Sequence, residues 1–470
     1  MKNTKIIFLL FLSLVIASCD KDFEEVNTDP DNATEIPAHL LLGNIIRVNQ
    51  NIIYNAQIGG DMGECWAQHW SKVQYNDEAR YSPRRGNIDA LWNSLYADVL
   101  SDAKSMYELA EAEGNSNLQA ISLILQANAF QLLTDLYGPV PFAEALDSAI
   151  EQPAYSTSQE VYAGIIAMLN QADALFGSGD VTASSDLLYA GDVTKWEKFG
   201  NSLKFKVLMR SNGSAAELQA LVTEGKMFTS NADSAQIIYN AIAPDANPIY
   251  ETIVDGNRSE YKICSPVVDI LSGLSDSRLA VYAGENADGN IVGKPAGYSD
   301  LPNDALGYTY GNISPLGDFY LDPTLPGVML SHSQLKLLMA EAANEGKIGG
   351  GLTAAKMYMD EGIIASFEFN GLGDGATYAA GISLTGQADA RQKIATQVWI
   401  SLFGQGFESW TEWRRTGVPA LTPAVEGDIP TIPTRLYYPT TEVSLNQSSY
   451  EAATATLNNG DELTSTLFWQ

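Results

Sequence analysis

The sequence predicts an all-α, mostly helical protein, and two observations carry that prediction. Apolar residues recur every three or four positions through long stretches, the period of a helix with one buried face. Several of the connections between those stretches are short and rich in glycine. The composition supplies the core such a fold needs. Of 470 residues, 45% are hydrophobic, and 22 Tyr, 15 Phe and 8 Trp add aromatic bulk, which excludes disorder as a description of the whole chain.

The segments follow in order. Trp92, Leu95 and Tyr96 open one helix, and a small-residue break at Gly114 to Asn117 precedes the next. From Asn117 to Tyr137 the positions Leu118, Ile121, Leu125, Ala129, Leu132, Leu133 and Leu136 keep helical spacing, and Gly138-Pro139 stops the run. Similar patterns span Ser158 to Phe176, Thr194 to Arg210, Ser333 to Glu345 and Ala390 to Phe403. Helices paired in this way suggest tetratricopeptide-like stacking, although no clean 34-residue self-match is present. The stretch 286–327 departs from the pattern. Its seven glycines, five prolines and four tyrosines predict a long ordered excursion, a feature that is usually functional. The tail from Thr422 is likewise loop-rich.

The N-terminus reads as an address. Lys2 and Lys5 precede a twelve-residue apolar run, Ile6 to Ala17, broken only by Ser13. That run is too short to span a bilayer but suits a signal-peptide core. It ends in Val15-Ile16-Ala17-Ser18-Cys19, which resembles a bacterial lipobox. Residues 1–18 are therefore read as a signal peptide and Cys19 as the lipidated residue. Residues 19–35 are read as a flexible tether, and 36–470 as the helical domain. The acid-rich Asp20-Lys21-Asp22-Phe23-Glu24-Glu25 resembles the surface-export signal of Bacteroidetes lipoproteins.

Charge and cysteine content exclude several classes. With 57 acidic and 27 basic residues the net charge is −30, so the chain repels phosphate backbones and no nucleic-acid partner is expected. Apart from Cys19 there are only Cys65 and Cys264, too few for a cysteine-based zinc site or a cluster. Two buried thiols are the simpler reading of that pair, and a disulfide stays open. No G-x-S-x-G or H-E-x-x-H occurs. The glycines of Gly289-Asn290-Ile291-Val292-Gly293-Lys294-Pro295 are one residue too close for a phosphate loop, and Pro295 replaces the hydroxyl. Asn286 to Asn290 lacks the flanking ligands of a calcium loop. His39, His69 and His332 lie in separate segments and read as hydrogen-bonded structural residues. No enzyme activity and no cofactor are expected, while the surplus of acids leaves a structural calcium ion open.

Two aromatic groups remain. One comprises Trp66, Trp70, Tyr75 and Tyr81, interleaved with Gln68, His69, Gln74, Asn76, Asp77, Arg80, Arg84 and Arg85. The other comprises Tyr298, Tyr308, Tyr310 and Tyr320, with Asn303, Asp304, Asn312 and Asp318 nearby. Flat rings beside amides and carboxylates suit a sugar, whose C–H face stacks while its hydroxyls reach the polar groups. Trp66 and Trp70, at i and i+4, equally fit one buried helix face. The loop tyrosines are the better candidates. Trp92 and Trp196 are expected in the core. Trp410, Trp413, Arg414 and Arg415 are read as fixing a structural corner in a turn-rich segment.

Several longer motifs carry a resemblance. These are Phe23-Glu24-Glu25-Val26-Asn27-Thr28-Asp29-Pro30, Gln68-His69-Trp70-Ser71-Lys72-Val73-Gln74-Tyr75, Asp135-Leu136-Tyr137-Gly138-Pro139-Val140-Pro141-Phe142 and Tyr189-Ala190-Gly191-Asp192-Val193-Thr194-Lys195-Trp196. Near the end come Trp410-Thr411-Glu412-Trp413-Arg414-Arg415-Thr416-Gly417 and Arg435-Leu436-Tyr437-Tyr438-Pro439. Together they resemble the SusD/RagB-type outer-membrane nutrient-binding lipoproteins over almost the whole mature chain. The resemblance implies a helical SusD-like fold with four tetratricopeptide-like units and a more irregular second half. It implies capture of an oligosaccharide or polysaccharide at the cell surface and a lid-like seat on a SusC-like TonB-dependent transporter. A peptide ligand is the alternative within the family, and a helical glycosidase is a third reading. The resemblance transfers no particular aromatic to this chain.

Overall fold

The computed structural model describes residues 36–298 and 307–470. The signal-peptide, tether and Cys19 readings, and Asn303 and Asp304, lie outside those residues. Helix dominates, as the spacing of apolar residues predicts. Helix α1 spans His39–Tyr54 and runs into a π-helical stretch, Ala56–Glu64. Helix α2 (Arg85–Asn93) continues through π-helical Ser94–Leu100 into α3 (Ser101–Glu113). Helices α4 (Ser116–Tyr137), α5 (Ser158–Leu175), α6 (Val193–Arg210) and α7 (Ala215–Glu224) follow. Helix α8 covers Ser265–Gly273. The later helices are α9 (His332–Asn344), α10 (Gly351–Phe369), α11 (Gly375–Ala380), α12 (Gln387–Ser401) and α13 (Gly406–Thr416). Two short helices in the tail, Thr440–Leu445 and Gln447–Thr454, end the series.

The starts and stops have local causes. The Asn115 side chain caps α4, the Asp192 carboxylate caps α6, and Thr157 forms a capping box with Glu160 at α5. Gly114, at φ +70°, closes α3, where a side chain would be strained. Consecutive helices then pack in pairs: α3 on α4, α4 on α5, α5 on α6, and α9 on α10 and α12. Helix α4 sits at the centre and buries nearly every side chain, so its apolar stripe understates its role. The tail strap clasps its C-terminal end. Leu436 N–H donates to the Leu136 carbonyl (2.7 Å), Arg435 Nε to the Tyr137 carbonyl (3.0 Å) and Tyr438 Oη to the Pro139 carbonyl (2.6 Å). Two motifs nearly 300 residues apart are thus one structural joint. Trp92 packs edge-on against Tyr137 there, at 5.0 Å.

One expectation fails. The Trp410 segment forms helix α13, not a turn-rich corner. Its inward face is partly ionic, which hid it from a hydrophobic reading. Glu408 and Glu412, one turn apart, both reach Arg210 of α6, which also pairs with Asp135 of α4. Arg415 bridges Glu412 (2.7 Å) and Glu341 of α9 (2.6 Å). Burial alone would raise the Glu408 carboxyl, but Arg210 and Lys206 outweigh it and hold it at about 2. Trp410 is structural as expected, with its indole N–H on the Pro433 carbonyl and the Arg414 guanidinium 3.8 Å from its ring centre. Close backbone approach sets α13 against the first π-helical stretch. A Cβ on Gly406 would lie 2.3 Å from the Glu64 nitrogen, so only glycine fits.

Among the described residues sheet is confined to three two-stranded antiparallel pairs: β1 (Trp70–Lys72) with β5 (Tyr261–Ile263), β2 (Val140–Pro141) with β3 (Tyr155–Ser156), and β4 (Ala235–Ile237) with β6 (Gly327–Leu330). The described part of the 286–327 excursion is tied down by a Cys264–Lys294 bridge and an Ala283–Leu316 bridge. Cys65 and Cys264 are free and buried. Among the described residues no helix is long and apolar enough to cross a membrane.

Candidate functional site

The β1–β5 ladder builds the site. It pairs Ser71 with Lys262 and Lys72 with Tyr261, and Val73 N–H extends it to the Glu260 carbonyl. Just past β1, Tyr75 adopts φ +55° and leaves the ladder, and its ring is 47% exposed. The guanidinium of Arg258, paired with Glu260, lies 5.3 Å from the ring centre. From the excursion, Tyr310 Oη donates to Gln74 Oε1 at 2.8 Å, and its ring is 37% exposed. Lys262 Nζ donates to the Tyr310 carbonyl (3.1 Å) and lies 5.7 Å from that ring's centre. Tyr298 and Tyr308 form a tilted pair 5.4 Å apart, with the Lys294 ammonium 5.5 Å from Tyr298. Partial burial and the neighbouring Tyr298 raise the Tyr308 hydroxyl above 10, so it stays a neutral donor at pH 7.

Asn312 shapes this loop. Its amide oxygen accepts Thr309 N–H (2.7 Å), its amide nitrogen donates to the Gly307 carbonyl, and its own N–H donates to Thr309 Oγ1 (3.2 Å). The asparagine suggested as a sugar partner is thus occupied in holding the turn that presents Tyr308 and Tyr310. The two tyrosine groups, more than 220 residues apart in sequence, are joined through the Tyr310–Gln74 hydrogen bond.

Four sequence candidates do not belong to this surface. Trp66 and Trp70 are both 0% exposed. Trp66 donates its indole N–H to the Glu78 carbonyl and packs edge-on against Trp410 at 4.9 Å, while Trp70 packs on Tyr261 at 5.8 Å. Tyr81 is buried with its hydroxyl accepting Ala424 N–H (2.6 Å). Tyr320 is buried between Tyr282 and Phe403 and donates to Asn370 Oδ1 (2.9 Å). No ligand ring can stack on a buried face. The polar neighbours are mostly staples as well. The Gln68 amide donates to the Thr422 carbonyl, and Arg80 donates to the Glu426 carbonyl (2.7 Å). Arg84 pairs with Glu78 (2.8 Å), and Arg85 covers Tyr437 at 4.0 Å. His69 is buried between Glu64 Oε2 (3.1 Å) and the Trp399 carbonyl (3.0 Å).

Arg258, Lys262 and Lys294 escaped the sequence reading. Arg258 and Lys262 flank or lie on β5 and reach the tyrosines because β5 pairs with β1, while Lys294 meets Tyr298 four residues on in the same loop. The surface therefore offers the exposed Tyr75 and Tyr310 rings and the Gln74 amide beside the half-buried Arg258, with Lys262 and Lys294 buried beneath the tyrosines. Among the described residues no group of three or more His, Cys, Asp or Glu side chains is placed to hold a metal ion.

Residues 30–439 match the SusD-like family model described as starch-binding and associating with the outer membrane. A chitin-binding SusD homologue from Flavobacterium johnsoniae superposes with a TM-score of 0.79 at 21% identity, covering 92% of this chain and 98% of that one. SusD homologues from Bacteroides ovatus (TM-score 0.78, 24% identity, 92% and 98% covered) and Bacteroides uniformis (0.77, 20%, 91% and 99%) share the fold. No curated protein matches in sequence. With more than four-fifths of its length inside the family model and the same helical architecture throughout, the chain belongs to the SusD-like family.

Proposed function

We propose that this protein is a lipid-anchored, surface-exposed glycan receptor of the outer membrane that binds oligosaccharide on the Tyr75–Tyr310 surface without breaking bonds. In this reading Cys19 carries the lipid, and the bound glycan passes to a SusC-like TonB-dependent transporter. The observation that supports the binding proposal is the Tyr310–Gln74 hydrogen bond, which sets the exposed Tyr310 beside the segment carrying the exposed Tyr75. Starch in the family description and chitin in a structural relative both favour a glucose-type backbone with a broad apolar face. Each stacked ring that covers ~60–100 Å² contributes ~1.5–2.5 kcal/mol before ordering costs. Two or three such contacts correspond to micromolar to millimolar affinity.

Calorimetric titration of the mature protein with malto-oligosaccharides, chito-oligosaccharides and mixed peptides tests the ligand class. Saturable glycan binding with unchanged sugar products is expected. Saturable binding of peptides alone would replace the glycan reading with the peptide one. The anchor is tested separately: Cys19→Ser should abolish palmitate labelling and release the protein from the outer membrane. Persistent labelling of that variant would refute the lipobox.

A further inference from the structure

Away from the tyrosine platform lie two adjoining cavities, an inner one among α1, α4 and the start of α13 and an outer one among β4, β6, α9, α10 and the end of α12. The outer one measures about 300 Å³ and the inner about 40 Å³. Val328 of β6 and Gln405, just before α13, line both, so these two side chains form the wall between them. Even the inner space exceeds the ~10–15 Å³ that one water needs, and the outer exceeds it many-fold.

Unpartnered amides face this space. Gln50 of α1 is 0% exposed and lines the inner cavity, yet neither its Nε2 nor its Oε1 has a hydrogen-bond partner among the described residues. Gln405 is 8% exposed, and among the described residues its side-chain amide makes no hydrogen bond. A fully buried amide such as that of Gln50 costs ~1–3 kcal/mol unless something else satisfies it. In the outer cavity the Ser234 and Ser331 hydroxyls each accept a backbone N–H, from His332 (2.9 Å) and Gln334 (3.0 Å), which leaves each O–H proton for a guest. Phe319 and Phe369, edge-to-face at 5.8 Å, supply an apolar wall. Among the described residues Glu368 is the sole charged one lining it, so an anionic guest is disfavoured.

We propose that the outer cavity is a second binding site, for a single neutral, monosaccharide-sized polyhydroxylated ring, with water satisfying Gln50 in the inner cavity. Hydroxyls of such a ring both donate and accept, which matches amide and serine partners, while its C–H face suits the phenylalanines. The site is independent of the platform, because no platform residue lines it.

The test is titration of the mature protein with D-glucose and N-acetylglucosamine at millimolar concentrations, in three forms. Wild type and the Tyr75→Ala/Tyr310→Ala double variant are both expected to bind saturably and to show a raised melting temperature. Gln405→Leu should weaken that binding about tenfold or more while keeping the fold, because it removes an unpartnered amide without orphaning another group. If Gln405→Leu does not fold, Gln236→Leu on the same cavity wall gives the same reading. The proposal is overturned if wild type shows water-like, non-saturable behaviour toward both sugars. It is equally overturned if the platform double variant alone abolishes binding.

Discussion

Trp70 and Tyr75 stand five residues apart in one continuous motif, yet one is fully buried and the other nearly half exposed. The difference lies in what the ladder does between them. At Trp70 the strand still pairs with Ile263, so its side chain is enclosed against Tyr261. By Tyr75 pairing has ended and the backbone turns to φ +55°, which lifts the ring out of the packing. In the excursion Tyr320, in the helical turn Asp318–Leu321, is buried while Tyr310 is exposed. Aromatic residues in a loop-rich stretch are therefore not equivalent, and the segment packed across from each decides which face solvent: Tyr81, also past β1 and at φ +73°, is buried under Ala424.

The contrast is broken most severely at its buried end. Trp66→Ala should cost ~3–5 kcal/mol of stability in denaturant unfolding, from lost burial and the cavity left beside Trp410. A loss below ~1 kcal/mol would mean the tryptophan is not core. At the exposed end, Tyr310→Ala and Tyr75→Ala should each lower oligosaccharide affinity by ~1.5–2.5 kcal/mol, tenfold to seventyfold. Their stability should change by no more than ~0.5 kcal/mol. Unchanged calorimetric affinity in both would remove the platform while leaving family membership intact. Tyr81→Phe sharpens the boundary. Loss of the hydroxyl that accepts Ala424 N–H should cost ~1–2 kcal/mol of stability and leave affinity alone.

The smallest expected effect depends on pH. Burial and the nearby Lys336 lower the His332 imidazole from 6.5 to about 4. As pH falls below 6.5 the unfolded chain takes up a proton that the folded chain refuses until about 4, so stability declines across that window. Because solvent reaches part of the ring, the decline should be about 1 kcal/mol, and His332→Gln should flatten it in melts between pH 7 and 4.5. Glu408, held at about 2, acts in a lower range, its stabilisation being lost as pH falls from 4.5 toward 2. A melt profile of His332→Gln identical to wild type above pH 4.5 would contradict the assignment.

Much of this protein is determined by local sequence. The periods from Asn117 to Tyr137 and from Thr194 to Arg210 dictate helices α4 and α6, because a 3.6-residue repeat needs no distant partner to be recognised. Gly138-Pro139 stops a helix wherever it occurs. The acidic balance and the absence of nucleophile and metal motifs are equally local, as is the family resemblance carried by contiguous motifs. Tertiary structure alone decided the rest. Helix α13 turns charged residues inward, which is favourable only because Arg210 and Arg415 meet Glu408 and Glu412 there. Which tyrosines face solvent was decided in the same way. Tyr75 and Tyr310 share one surface because β1 pairs with β5 and Gln74 meets Tyr310, while Tyr81 and Tyr320 are covered by segments hundreds or tens of residues away. Burial is a property of what lies across from a residue, and no window along the chain contains that partner.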